Sequence, residues 1–202
     1  MATPIENPLY PFKESPSQTA GPYVHIGLTP NFCGIPGVYD KDLGTAMVTD
    51  KTKGERIKLE GRVIDGGGNP LKDALVEIWQ ADADGIYRGR AEPEFSGWGR
   101  CPADAETGIF RFETIKPGRV AFPDGRLQAP HINVWIVARG INLGLNTRIY
   151  FEDEAEANAG DPVLARIEHR DRLTTLIAKG KAGAYSHDIH LQGPQETVFF
   201  DI

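Results

Sequence analysis

The chain has 202 residues, 40% of them hydrophobic and 25% charged, with a formal net charge of −6. That length suits one domain with a substantial core, and an acidic balance with scattered Lys and Arg offers no basic stripe for nucleic acid. No stretch approaches the roughly 20 apolar residues that span a bilayer, while 23 Gly and 15 Pro favour many turns and an all-β class over long helices.

Residues 1–55 are rich in Pro, Gly and polar side chains and lack sustained periodicity. They read as an extended N-terminal arm that cannot offset its ordering entropy alone, and Tyr10, Phe12, Tyr23, Phe32 and Tyr39 favour its packing on a partner subunit. The first ten residues lack the basic-then-apolar pattern of a secretory leader. The two cysteines, Cys33 and Cys101, are too few for a disulfide framework and too far apart for a Cys-x-x-Cys motif. A reducing, cytoplasmic location is expected.

Residues 56–202 read as a single β-sandwich domain. Alternating runs at 57–64 and 74–79 flank the turn Asp65-Gly66-Gly67-Gly68-Asn69-Pro70, and further strands are predicted at 108–114, 131–137, 148–151, 186–191 and 197–200. Between 82 and 107 no clean period emerges, and long aperiodic connections in compact domains are commonly functional. A short helical region is expected over 161–179. Asp161-Pro162 resembles an N-cap with first-turn proline, Val163, Leu164, Ile167, Leu173, Leu176 and Ile177 form an apolar face, and a break is expected near Arg170.

The strand Pro130-His131-Ile132-Asn133 presents His131 and Asn133 on one face. A His-x-His pair could give a metal two imidazoles, but Asn133 offers only a neutral amide, so this is half a site. Asp82, Asp84 and Gly85 superficially match a calcium loop but lack its remaining oxygen positions, and a turn is the better reading. Tyr87 by itself is a half-buried packing residue. His187 and His190, three apart in a strand, point to opposite faces. His169 belongs to a solvated turn and His25 to the arm. There is no Gly-x-Ser-x-Gly elbow, phosphate loop or Rossmann fingerprint.

Taken in order, several segments resemble the intradiol ring-cleaving dioxygenases: Pro16-Ser17-Gln18-Thr19-Ala20-Gly21-Pro22-Tyr23, Gly61-Arg62-Val63-Ile64-Asp65, and Ala74 through Asp82. Thr114-Ile115-Lys116-Pro117-Gly118, Ala129-Pro130-His131-Ile132-Asn133 and Thr147-Arg148-Ile149-Tyr150-Phe151 extend the resemblance over nearly the whole chain. It implies a Greek-key β-sandwich with a transthyretin-like core, and a reaction in which O2 splits a catechol-type ring at ferric iron held by two tyrosines and two histidines. Those four ligand positions fall on Tyr87, Val120, His131 and Asn133, so one phenolate and one imidazole are replaced. No tyrosine occurs from 88 to 149. The resemblance therefore implies a chain with no catalytic residue of its own. In that view Fe(III) is held by a homologous beta-type subunit in an obligate hetero-oligomer, and Thr19, Gly21, Pro22 and Arg139 of this chain line the pocket for a small aromatic substrate at the interface.

For Arg139 an interface salt bridge is an equal alternative to substrate contact. Two other functions compete: a stand-alone transthyretin-like ligand-binding module, suggested by residues 61–81, and an independent metalloenzyme using Tyr87, His131 and exogenous ligands.

Overall fold

A computed structural model describes residues 19, 21–87 and 94–201. The expected arm residues Tyr10 and Phe12, and the side chain of Pro22, lie outside the described residues. After the helix α1 (Gly21–Leu28) the chain forms β1 (Arg56–Ile64), β2 (Leu75–Gln80), β3 (Trp98–Pro102), β4 (Ile109–Ile115), β5 (His131–Val137) and β6 (Leu145–Phe151). A 3-10 turn (Glu152–Glu154), the short helix α2 (Ala155–Ala159) and two further 3-10 turns (Leu164–Arg166 and Arg170–Leu176) lead to β7 (Ile177–Lys181), β8 (Ala184–Ser186) and β9 (Ile189–His190).

The strands make one continuous hydrogen-bonded path, β3-β2-β5-β6-β7-β8-β1-β4, with β9 paired to β1. The path doubles over. Inward residues of its two halves, including Ile57, Leu59, Phe110 and Phe112 from one and Val76, Ile78, Ile132, Val134, Ile136 and Ile149 from the other, form a single buried cluster. This is the expected all-β sandwich. Its alternation is visible in β1, where Ile57, Leu59, Gly61 and Val63 are buried and the residues between them are not.

Two regions differ in detail from the expectation. Residues 21–55 carry a helix rather than a wholly extended arm, and they pack on this chain's own domain. Met47 joins the main core, Val48 bridges to Phe95, and Arg100 Nη1 donates to the Leu28 carbonyl at the end of α1 (3.2 Å). The helical region at 161–179 breaks just before Arg170, as expected, into the 3-10 turns Leu164–Arg166 and Arg170–Leu176, and it ends early because Ile177 to Lys179 enter β7 beside β6 and β8. Asp161 still caps as expected, its Oδ1 accepting from the Val163 and Leu164 amides (both 2.8 Å).

A second, smaller core cluster of Ala129, Tyr150, Leu164 and Leu176 lies under these turns. Residues 197–200 are not a strand; Phe200 makes one bridge to Asn146.

Candidate functional site

The outward face of β3-β2-β5-β6 is set by register. Trp79 stands opposite both Trp98 and Asn133, Asn133 opposite Arg148, His131 opposite Tyr150, and Trp135 opposite Asn146. Facing pairs on one side of a sheet touch. The result is a groove of about 680 Å³ whose lining includes all three tryptophans, Asn133, Arg148 and the C-terminal Phe200.

At one end of this face Tyr87, His131 and Asn133 meet, as their family positions imply. His131 Nδ1–H donates to the Ala129 carbonyl (2.8 Å), leaving Nε2 as an acceptor 3.4 Å from the Tyr87 hydroxyl. Asn133 Nδ2 donates to that hydroxyl (2.8 Å) and to the Trp79 carbonyl (3.1 Å). Tyr87 stacks on Trp79 with ring planes 11° apart. The turn before it is built by Asp82, whose Oδ1 accepts from the Asp84 and Ile86 amides, which bears out a turn at this acidic segment.

The Arg148 guanidinium, opposite Asn133 in the sheet, opposes a cation here. Burial, then the Arg148 guanidinium, lowers the His131 pKa to about 4, so its imidazole is neutral at pH 7. Burial likewise pushes the Tyr87 phenol up. Ferric iron is hard and needs anionic oxygen and imidazole lone pairs. Asn133 turns N–H donors inward, Val120 is a buried aliphatic side chain, and the two surviving donors close on each other. The four positions therefore do not fit ferric iron, and among the described residues no group of three or more His, Cys, Asp or Glu could hold a metal ion.

Arg148 was not legible as a site residue, nor was the polar chain behind it. Arg148 Nη1 donates to Gln128 Oε1 (2.9 Å). The buried Asp161, reached by Tyr150 Oη (3.4 Å), accepts from the Ala129 amide through Oδ2 (2.7 Å). Asp161 thus fixes the segment on which His131 sits.

A second cluster forms beyond the other end of β5, a strand that spans about 20 Å from His131 to Val137. Thr19 Oγ1 accepts from the Gly140 amide (3.1 Å) and donates to the Ile141 carbonyl (3.2 Å). Arg139 Nε lies 3.0 Å from Asp73 Oδ2, with the arginine side chain 72% exposed and the aspartate 15%. Gly21 opens α1 two residues after Thr19. Tyr23 on α1 and Leu143 in the β5–β6 loop are 82% and 72% exposed. Thus Thr19, Gly21 and Arg139 share one region of the surface, away from Tyr87, His131 and Asn133.

A dioxygenase family model matches residues 28–193. The chain belongs to the intradiol ring-cleavage dioxygenases. Among relatives of this family, the protocatechuate 3,4-dioxygenase alpha chain of Pseudomonas putida is 46% identical over 96% of this chain and 99% of its own length. The protocatechuate 3,4-dioxygenase beta chain of Burkholderia cepacia is 37% identical, covering 80% of this chain and 75% of its own. The crystal structure of 3-chlorocatechol 1,2-dioxygenase from Rhodococcus opacus superposes with a TM-score of 0.56 at 25% identity, over 77% of this chain and 68% of that one. Among the described residues no helix is long and apolar enough to cross a membrane.

Proposed function

We propose that this chain is the alpha subunit of a heteromeric protocatechuate 3,4-dioxygenase, in which a homologous beta subunit carries Fe(III). The assembly would cleave 3,4-dihydroxybenzoate with O2 between its hydroxyl-bearing carbons, giving 3-carboxy-cis,cis-muconate with both oxygen atoms retained. The observation that carries this reading is the conjunction of near full-length likeness to an alpha chain with a ligand set that has lost two of its four donors. Likeness along both lengths also disfavours a stand-alone transthyretin-like module. The closed Tyr87, His131 and Asn133 cluster disfavours an independent metalloenzyme.

This chain's contribution is a wall of the partner's pocket. The substrate is an anionic ring, and the exposed Arg139 offers a guanidinium whose planar fork matches a carboxylate. Gly21 and Pro22 in the adjoining arm would supply close-approaching backbone and a rigid apolar surface. Exposed Tyr23 and Leu143 suit burial against another subunit. Two free thiols, Cys33 and Cys101, fit a cytoplasmic setting.

The test is absorbance and metal analysis of this chain expressed alone and with the beta subunit. Iron-tyrosinate charge transfer and ring cleavage are expected only in the co-expressed sample. Near-stoichiometric iron and catechol cleavage by the lone chain would overturn the reading. In the heteromer, Arg139→Ala should raise KM for 3,4-dihydroxybenzoate without removing iron.

A further inference from the structure

Arg139 lies on a solvent-facing loop, and a long exposed arginine samples many rotamers unless something holds it. Two contacts from distant parts of the chain converge on it. Asp73, in the turn that leads into β2, places Oδ2 3.0 Å from Nε as an ion pair outside hydrogen-bond geometry, and that buried oxygen has no hydrogen-bond partner, so the guanidinium is its counter-charge. A guanidinium drawn towards Asp73 on its Nε side keeps both Nη groups available on its outer edge. Thr19 engages the next two residues, taking the Gly140 amide proton on its oxygen and giving its own proton to the Ile141 carbonyl. Its single hydroxyl hydrogen is thereby committed to the loop.

Thr19 stands two residues before α1, and the far end of α1 is tied by Arg100 to the Leu28 carbonyl. The arm, the β5–β6 loop and the β2 turn are joined at one place.

We propose that Thr19 and Asp73 are positioning residues that hold Arg139 with its Nη edge turned outward to receive the carboxylate of an aromatic acid. Thr19 acts through the loop, not by touching the substrate. This rests on the reading that Arg139 serves the partner's pocket. Without Thr19 the backbone at 140–141 loses both a donor and an acceptor partner. Without Asp73 the guanidinium loses the charge that draws its Nε side towards the domain.

The experiment is steady-state kinetics of the co-expressed heteromer with 3,4-dihydroxybenzoate, for Thr19→Val, Thr19→Ser, Asp73→Asn, Arg139→Ala and the double variant Thr19→Val with Arg139→Ala. Iron-tyrosinate absorbance and co-purification verify assembly of each. Thr19→Val should raise KM about three- to tenfold, the range that one or two lost hydrogen bonds produce, with kcat unchanged. Thr19→Ser should restore the KM, and Asp73→Asn should move it in the same direction as Thr19→Val. In the Arg139→Ala background Thr19→Val should add nothing, since a residue that works only through another is silent once that other is gone.

Multiplying effects of Thr19→Val and Arg139→Ala would overturn the proposal in favour of direct substrate contact by Thr19. An unchanged KM in Thr19→Val or Asp73→Asn, beside a raised one in Arg139→Ala, would overturn it while leaving the arginine's role intact. An unchanged KM in Arg139→Ala would remove the reading on which it rests.

Discussion

At His131 the sequence and the structure agree on position and differ in what surrounds it. The alternation of β5 was enough to place His131 and Asn133 on one face, and the family positions pointed to Tyr87. Arg148 was hidden because its role depends on register: it faces Asn133 only once β6 is known to begin at Leu145. Asp73 was hidden for a similar reason, its partner being far away in sequence. Asn133→His restores one imidazole but leaves Val120 unchanged and Arg148 in place, so the lone variant chain should show no iron-tyrosinate band when incubated with ferric iron. His131 and His187 also set an acid limit. Both are buried, with pKa values lowered from 6.5 to about 4, chiefly by burial. Arg148 and Asp161 act on His131, Asp188 and His190 on His187. Because the unfolded chain takes up these protons first, their neutral forms stabilise the fold above about pH 6.5, and that contribution is lost as pH falls towards 4. Each accounts for on the order of 3 kcal/mol over that window, so urea midpoints should fall steeply there, with a shallower slope in His131→Gln.

Among the elements, β1, β2, β4 and β5 were legible because their buried positions carry large apolar side chains. β3 was not, since the inward place between Trp98 and Arg100 belongs to Gly99, and its space is filled by Met47 from a remote segment: a Cβ there would lie 2.5 Å from the Met47 Sδ. The β7–β8 hairpin escaped for the opposite reason, being short and glycine-rich, with pairing by strands on either side standing in for an apolar pattern. The expected helix failed at its C-terminal end because strand pairing of Ile177 and Ala178 with Tyr150 and Phe151 displaced it. Its cap survived, and Asp161→Ala should cost about 3 kcal/mol by thermal or urea melting, because the buried amides at 129 and 164 and the half-buried one at 163 lose their acceptor. Gly61 in β1 has no room for a side chain, as a Cβ would sit 1.8 Å from the His187 carbonyl oxygen. Gly61→Ala should destabilise by at least about 3 kcal/mol and reduce soluble yield.

Across the whole molecule, the sandwich and the loss of two ligand positions were readable from one chain, whereas the joining of the halves was not. The strands β7 and β8 alone connect β6 to β1 in the sheet path. Truncation after Leu176 should leave two half-sheets with an open edge each, and a broad, non-cooperative urea transition by circular dichroism is the expected outcome. A sharp two-state transition would show instead that face-to-face core packing suffices. The described part of the arm likewise belongs to the chain's own fold, through Met47 and α1, which the Pro- and Gly-rich composition did not reveal.

All three tryptophans stand on the outward face of β3-β2-β5-β6, and none belongs to the main core. Ultraviolet emission therefore comes from one surface: a subunit that covers it will shift or quench the signal, and repacking of the interior will pass nearly unseen. The chain is its own optical probe for that face, with Trp79 the first of the three to examine because Tyr87 stacks on it.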